Sequence, residues 1–379
     1  MSPLDDLTVL DFSTLLPGPL ASLFLAEAGA RVIKVERPGG EDMRGFPPRF
    51  GQISAPFAAL NGGKESVEID LKAPDAVERL TPLIRAADIL VEQFRPGVMA
   101  RLGLGYDDLV RINPRLIYCS ITGYGQHGPR AGEAGHDLNY QALGGLLGQS
   151  LKRGAPAPLP PALVADIGGG TLPAVINILL ALRRRDRTGQ GCHLDIAMAD
   201  AMTTFAWYGL AQGQATGSFP EGGEGVLTGA SPRYGLYETA DGWFLAVAAL
   251  EPKFWEAFCE AIALDAALRD DRRAPEATRE AVVATIAAAA AEHWRERLEP
   301  LDCCCTVVRT LEEALADPHF TSRGLLDVQA EEPGGRRLVS TPLPLAPILR
   351  VDAGGLRRVA ASGADSAALL DQAALPPRP

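Results

Sequence analysis

Short apolar strand patterns alternate with helical patterns over the first 125 residues of this chain. The strand patterns occupy Leu7–Phe12, Arg31–Val35, Val67–Leu71, Ile89–Glu92 and Leu116–Ile121. The helical patterns occupy Pro19–Glu27 and Pro74–Ala86. Because two parallel strands need a long crossover between them, usually a helix, this alternation predicts an α/β fold with a Rossmann-like parallel sheet. Ligands of such sheets bind at the carboxyl ends of the strands, so a site is expected in the loops that follow them.

The rest of the chain predicts a second, smaller domain. We expect a large α/β domain at 1–208, a linker at 209–230, a small α+β domain at 231–326, and a return linker at 327–379 whose C-terminal segment packs on the large domain. Seven glycines between Gly209 and Gly229 indicate a flexible crossing between the two domains.

Further elements are predicted after residue 125. Helices are expected at 168–185, 198–210, 253–263 and 278–299, the last of which includes the alanine run 287–291. A strand at His193–Ile196 extends the large sheet. Two apolar runs, Leu236–Thr239 and Trp243–Val247, flank Asp241-Gly242 and predict a hairpin in the small domain.

Charge and hydropathy exclude several classes of protein. The chain has 36 basic and 47 acidic residues, a net charge of −11, so it lacks the basic surface of a nucleic-acid-binding protein. It has no run of eighteen apolar residues and begins directly with a strand pattern, so neither a membrane span nor a signal peptide is expected. Its six cysteines, including Cys303-Cys304-Cys305, lack zinc or disulfide spacing, which predicts reduced thiols in a cytoplasmic protein and no metal site.

The turn after the first strand does not have the pattern of a dinucleotide-binding protein. Pro17-Gly18-Pro19 stands where such proteins carry G-x-G-x-x-G, and Pro19 lacks the amide that a pyrophosphate needs. Glu36, at the end of the second strand, resembles a ribose-binding acid, but without the glycines it is read as a solvated strand end. The G-x-S-x-G motif of a serine nucleophile is also missing.

Two proton carriers remain as candidates for chemistry. His136 lies in Ala134-Gly135-His136-Asp137, and Asp166 lies in Val164-Ala165-Asp166-Ile167-Gly168, just before a long helical pattern. Histidine and carboxylate are suited to moving protons near neutral pH, so the pair fits general acid–base catalysis. Local pattern alone leaves two simpler roles open, a structural histidine and an aspartate that only caps a helix.

Motifs spread over nearly the whole chain carry a family resemblance. They are Pro17-Gly18-Pro19, Gly29–Pro38, Asp70-Leu71-Lys72, Phe94–Val98, Leu102–Tyr106, Asn113–Tyr118, Thr122–Gln126 and Gly128-Pro129. Together with the two segments around His136 and Asp166, they resemble the family III CoA-transferase (CaiB/BaiF-like) superfamily, and within it the α-methylacyl-CoA racemases.

The resemblance implies one of two activities. Asp166 matches an aspartate present in both branches, which becomes acylated in the transferases. His136 and Glu251, in Leu250-Glu251-Pro252, match the racemase pattern. The resemblance therefore favours a racemase or epimerase of 2-methylacyl-CoA thioesters, in which His136 and Asp166 exchange the α-proton through an enolate and Glu251 supports His136. A CoA-transferase with an Asp166 acyl intermediate is the alternative, and an acyl-CoA-binding protein without catalysis is a third possibility.

The resemblance also implies the ligand contacts and the assembly. CoA is expected as part of the substrate, with no separate cofactor, and with Arg37, Leu71, Lys72, Arg95 and Tyr140 as its binding residues. The enolate oxygen is expected to meet backbone N–H groups at the start of the helix after Asp166. The family fold implies an interlocked homodimer in which Glu251 comes from the second subunit.

Overall fold

The computed structural model of the chain describes residues 2–351 and 355–370, so residues 352–354 and 371–379 of the predicted return segment lie outside the described residues. The described chain forms two compact units. The first unit contains residues up to Gly144, Pro160–Thr204 and the chain from Pro318 onward, and the second contains Gly145–Leu159 and Phe205–Asp317.

The strands are β1 (Thr8–Asp11), β2 (Arg31–Glu36), β3 (Arg49–Phe50), β4 (Ile53–Ser54), β5 (Glu65–Glu68), β6 (Ile89–Glu92), β7 (Ile117–Thr122), β8 (Cys192–Ala197), β9 (Tyr234–Glu238), β10 (Phe244–Ala248), β11 (Cys305–Val307), β12 (Gln329–Glu331), β13 (Arg337–Val339) and β14 (Leu356–Arg358). The α-helices are α1 (Pro17–Glu27), α2 (Ala55–Asn61), α3 (Ala76–Ala86), α4 (Val98–Arg101), α5 (Tyr106–Ile112), α6 (Asp137–Leu143), α7 (Leu172–Thr188), α8 (Ala201–Phe205), α9 (Trp207–Thr216), α10 (Pro252–Ala261), α11 (Pro275–Ile286), α12 (Ala291–Leu298), α13 (Leu311–Ala316), α14 (Pro318–Ser322) and α15 (Ser366–Leu370).

The predicted parallel sheet is confirmed. Six strands of the first unit pair in the order β5-β2-β1-β6-β7-β8, and every neighbouring pair is parallel. Leu10 of β1 is opposite Ile33 of β2 and Leu90 of β6, and all three side chains are fully buried. The apolar runs seen in the sequence are therefore strands covered on both faces, as parallel sheets require.

The long helix after Asp166 begins earlier than predicted. A π-helical segment, Val164–Thr171, leads directly into α7, which ends before Gly189 in the left-handed conformation. A Cβ on Gly169 would lie 2.3 Å from the carbonyl oxygen of Met198, so glycine is required for the close packing of this segment against the chain after β8. Asp166 thus lies inside the first turn of the helix rather than at its cap.

The same segment bears on the expected absence of a membrane span. Within the described residues, Val164–Thr188 is the one helical stretch long and apolar enough to cross a membrane, judged by length and composition alone. Core helices of globular proteins satisfy the same criterion. The helix buries 39% of its most apolar window inside the protein.

The second unit contains the predicted hairpin. Strands β9 and β10 pair antiparallel around Asp241-Gly242, and β11 adds to β10. The core of this unit contains Tyr237, Trp255 and Trp294, each almost fully buried. The two apolar runs around the turn therefore located the hairpin, but they did not predict the third strand, β11.

The single helix predicted at 278–299 is wrong, because the chain forms two helices there, α11 and α12. The break falls on the alanine run itself. The N–H of Ala240 donates to the carbonyl of Ala289 (2.9 Å), and the Asp241 carboxylate accepts the N–H of Ala291 (3.1 Å). These bonds to the hairpin turn stabilise the break, so tertiary contacts override the helix propensity of alanine.

The region expected to form a linker contains regular structure. The predicted helix at 198–210 is two helices, α8 and α9, and α9 continues to Thr216. The backbone N–H of Gly222 donates to Gly148 (3.0 Å), and that of Gly223 donates to Gln149 (2.7 Å). These bonds explain why residues 145–159 belong to the second unit.

The described chain after residue 326 is part of the first unit and contacts the large sheet and its helices. Arg357 pairs with the Glu27 carboxylate at 2.8 Å, and Asp365 accepts the backbone N–H of Ser66 at 2.8 Å. The first contact joins the C-terminal region to helix α1, and the second joins it to strand β5 of the parallel sheet.

Candidate active site

A cavity of about 430 Å³ lies at the carboxyl ends of four neighbouring strands of the first unit. Thr14 follows β1, Gln93 follows β6, Gly123 follows β7 and Met198 follows β8, and all four line the cavity. This is the edge at which the topology of a parallel sheet gathers its loops. The lining also includes His136 and Asp166, so the structure brings the two predicted proton carriers into one cavity.

His136 is the residue that precedes helix α6. Its backbone N–H donates to the Asn139 side chain (3.0 Å), and its carbonyl accepts the Asn139 N–H (2.8 Å). The Tyr140 hydroxyl donates to the carbonyl of Gly135 at 2.6 Å. Both sides of the histidine backbone are therefore fixed, while its side chain stays exposed at the cavity.

Asp137 joins the two candidate residues, and sequence reasoning missed it. Its Oδ1 accepts the backbone N–H groups of Ala165 (2.6 Å) and Asp166 (3.0 Å), and its Oδ2 accepts the Gln141 amide (2.6 Å). The side chain is only 5% exposed. Its place directly after His136 in the Gly-His-Asp motif is the signal that could have identified it.

Asp166 has an ionisation suited to proton transfer. Burial, together with the negative charge of Asp137, raises the pKa of Asp166 to about 6, while the nearby His136 acts to lower it. A carboxyl with this pKa is mostly ionised at neutral pH yet is readily protonated. The cavity therefore contains a carboxyl suited to proton transfer beside the imidazole of His136.

The charge of Asp137 predicts the direction of a pKa change. Asp137→Asn keeps an oxygen for the two backbone N–H groups but removes the negative charge, so the pKa of Asp166 should fall below about 6. A ¹³C NMR titration of carboxyl-labelled protein measures this pKa, with Asp166→Asn assigning the resonance. Asp107→Asn, which changes an exposed carboxylate outside the cavity, is the control. An unchanged or higher pKa would contradict the coupling.

Tyr140 and Arg95 also line this cavity. Tyr140 is 4% exposed and packs edge-on against Tyr124, with 5.2 Å between ring centroids. Burial, followed by the charge of Asp166, raises the pKa of Tyr140 to about 12, so its hydroxyl stays protonated. A Cβ on Gly123 would lie 2.5 Å from that hydroxyl, which explains the glycine at this position. Arg95 is exposed at the rim.

The remaining predicted site residues lie outside this cavity. Arg37 is exposed and pairs with Asp42, Lys72 is exposed, and Leu71 is half-buried against the hydrophobic core of the first unit. Glu251 belongs to the second unit, where it is exposed directly before helix α10. The roles of these residues stay predictions.

The expected backbone donors after Asp166 are partly engaged within the helix. The N–H of Ile167 donates to the carbonyl of Leu163 at 3.0 Å, and the N–H of Asp166 itself is bound by Asp137. The first amide after Asp166 is therefore not free to meet an enolate oxygen. The positive dipole end of this helix is partly neutralised by the Asp137 carboxylate, which accepts two of its N–H groups.

Comparisons with known proteins give consistent matches. The family model for CoA-transferase family III matches residues 4–349. The alpha-methylacyl-CoA racemase of Homo sapiens is 35% identical over 350 residues, covering 89% of this chain and 87% of that protein. The succinate–glutarate CoA-transferase of Agrobacterium fabrum is 34% identical over 359 residues, covering 87% and 86%. A solved CAIB/BAIF family protein from Brucella suis has a TM-score of 0.82 and 29% identity, covering 97% of this chain and 98% of that one.

Proposed function

This chain belongs to CoA-transferase family III, and from that premise we propose that it is a racemase or epimerase of 2-methylacyl-CoA thioesters. Members of the family are enzymes that act on CoA thioesters. The observation that carries the proposal is the presence of His136 and Asp166 in one cavity, where the pKa of Asp166 is about 6. Those are the two proton carriers that a two-face proton exchange needs.

The proposed reaction moves one proton off the α-carbon and one back. For one epimer, the imidazole of His136 removes the α-proton, the electron pair moves into the thioester carbonyl to give an enolate, and the Asp166 carboxyl protonates the opposite face. For the other epimer, the Asp166 carboxylate is the base and the His136 imidazolium is the acid. The helix that begins at Val164 brings Asp166 of its first turn to the cavity, and the positive dipole end there, which the Asp137 carboxylate partly neutralises, would favour the enolate charge. No cofactor besides the CoA of the substrate takes part.

We assign CoA binding to Arg37, Leu71, Lys72, Arg95 and Tyr140. In support, the three basic residues follow β2, β5 and β6, whose carboxyl ends share one edge of the sheet, and each is exposed. Charge-assisted hydrogen bonds from such side chains suit the phosphates of CoA. They would supply the local positive charge that a chain with a net charge of −11 otherwise lacks.

We also propose an interlocked homodimer, in which Glu251 of one subunit supports His136 of the other. The support is an apolar stripe on helix α7. Leu172, Ile176, Leu179 and Leu180 are 38%, 56%, 44% and 63% exposed and recur at helical spacing on one face. A stripe of this kind suits burial against a second copy. Active protein that sediments as a 40.1 kDa monomer would overturn this assembly.

A CoA-transferase remains the second candidate. The observation that favours it is the Agrobacterium fabrum relative, named as a CoA-transferase and 34% identical to this chain, close to the 35% of the human racemase. In this case the Asp166 carboxylate would attack the thioester to give an acyl–Asp166 anhydride and CoA thiolate, and the thiolate would attack the Asp166 carbonyl, releasing the first acid and leaving an Asp166–CoA thioester. A second carboxylate would attack that thioester to give a second anhydride and CoA thiolate. Attack of the thiolate on the new acyl carbonyl would form the new acyl-CoA and regenerate the Asp166 carboxylate.

One incubation separates these reactions. A 2-methylacyl-CoA in deuterated water, with the protein and no added carboxylic acid, should gain deuterium at the α-carbon and lose its stereochemical purity. The same incubation without protein is the control. A strict requirement for a second carboxylic acid would favour the transferase. No reaction either with or without that acid would leave an acyl-CoA-binding protein. A panel of acyl-CoAs then identifies the acyl group.

A further inference from the structure

The segment 13–19, which joins β1 to α1, is fixed by side chains from other elements. The Ser13 carbonyl accepts from Lys34 (2.9 Å) and the Pro19 carbonyl accepts from Lys64 (2.8 Å). The Leu15 N–H donates to the Glu41 carboxylate at 2.9 Å. Charged side chains that are distant in sequence therefore form the hydrogen bonds that neighbouring backbone groups form in a regular turn.

These charged side chains form a buried cluster. Lys34 lies 3.1 Å from Glu41, and Lys64 lies 3.3 Å from Asp11, and each of the four side chains is at most 2% exposed. Burial opposes the ionisation of Asp11, but the charges of Lys34 and Lys64 together with hydrogen bonds from Ser13 and Ser22 outweigh it and lower its pKa to about 2. Buried charges are costly unless paired, so the cluster holds together as a unit.

Leu15 needs such a hold more than its neighbours do. Its φ of +61° places a non-glycine residue in the left-handed region, which is strained unless surrounding contacts maintain it. Leu15 also lines the cavity that contains His136 and Asp166, together with Thr14 and Pro17. A shift of Leu15 would therefore change the wall against which a bound thioester lies.

We propose that Glu41 is a positioning residue, which holds the Leu15 N–H and thereby fixes the cavity wall that keeps the α-carbon between the two proton carriers. This inference rests on the proposed function above. Its physical basis is that a displacement of about 1 Å at a reacting centre can cost about 10²-fold in rate.

A cycle of variants tests the role. Glu41→Ala should lower kcat about tenfold or more with KM changed less than about twofold, because the bound substrate is misplaced rather than lost. Leu15→Gly removes both the wall side chain and the strain of the positive φ, so it should lower kcat by itself, and Glu41→Ala should cost little further kcat in that background. Additive effects of the two changes on kcat would overturn the proposal.

Further variants separate positioning from stability. Glu41→Gln removes the partner of Lys34 and should lower the melting temperature, but it should retain kcat because the amide oxygen still accepts the Leu15 N–H. Glu27→Ala removes a matched buried pair with Arg357 and should lower stability alone. A Glu41→Ala enzyme with the kcat of Glu27→Ala would overturn the role.

Hydrogen–deuterium exchange tests the role of Glu41 without any measurement of catalysis, so its result does not depend on the proposed function. Hydrogen–deuterium exchange of a peptide covering 13–19 should accelerate in Glu41→Ala and stay at the wild-type rate in Glu27→Ala. Unchanged exchange in Glu41→Ala would contradict the proposal that Glu41 fixes Leu15, whichever of the two reactions the wild-type protein catalyses. Absence of α-exchange in the wild type would instead remove the racemase function, and kcat would then be measured in the transferase assay.

Discussion

Replacing Asp166 with asparagine should lower the interconversion of the two 2-methylacyl-CoA epimers by about 10³-fold or more. The amide is close in size to the carboxyl, and the bonds from Asp137 go to the backbone at 165 and 166, so the site keeps its shape. What disappears is the group, with a pKa of about 6, that accepts and returns a proton on one face of the α-carbon. Chiral analysis of the product over time measures the loss.

Asp166→Asn should lower activity, but we expect it to raise the stability of the folded protein near neutral pH. The pKa of Asp166 is raised in the folded state, so the folded protein binds this proton more tightly than the unfolded chain does. The contribution of Asp166 to stability is therefore fully present below its ordinary pKa of 3.8 and is lost as the pH rises through about 6. At pH 7.5 the neutral amide should raise the melting temperature. Loss of activity together with a lower melting temperature would point to misfolding.

Asp186→Asn is the matched control for this variant. Asp186 is exposed near the other end of the helix that follows Asp166, so its amide should leave both rate and melting temperature unchanged. An Asp166→Asn enzyme that interconverts the epimers at the wild-type rate would remove Asp166 from the mechanism.

The sequence predicts the sheet well because burial on both faces leaves a clear signal. Strand β6 begins and ends where its apolar run does, at Ile89 and Glu92. The alanine run shows the limit of such reasoning. Its composition favours a helix, but bonds from the distant hairpin turn break the helix there. Nothing in a local window carries that information.

The candidate site shows the same division. His136 and Asp166 could be identified from their motifs, but their meeting depends on the sheet order, which places the loops after β1, β6, β7 and β8 around one cavity. Asp137 was missed because its role lies in bonds to residues 28 and 29 positions away. The raised pKa of Asp166 depends first on burial and then on the charge of Asp137, so the sequence could not predict it either.

Replacing His136 with alanine should lower epimer interconversion by about 10³-fold as well, but the α-proton of one epimer should still exchange. Asp166 stays in place, so it should still exchange the α-proton of the epimer that faces it, returning deuterium to the same side without inversion. In Asp166→Asn, the remnant exchange should belong to the other epimer. If His136→Ala exchanges the α-proton of only one epimer and Asp166→Asn that of only the other, each face of the α-carbon has its own proton carrier. Incubation of each pure epimer in deuterated water, read by mass spectrometry, measures this.

The histidine variant also decides between the two candidate activities. The transferase reaction uses Asp166 as its nucleophile and has no step that involves His136. In that case His136→Ala would transfer CoA at close to the wild-type rate, and Asp166→Asn would be inactive. His127→Ala is the matched control, because His127 is an exposed histidine of the same unit that does not line the cavity. Full racemisation by His136→Ala would contradict the two-face mechanism, since a single carboxyl on one face cannot invert the centre.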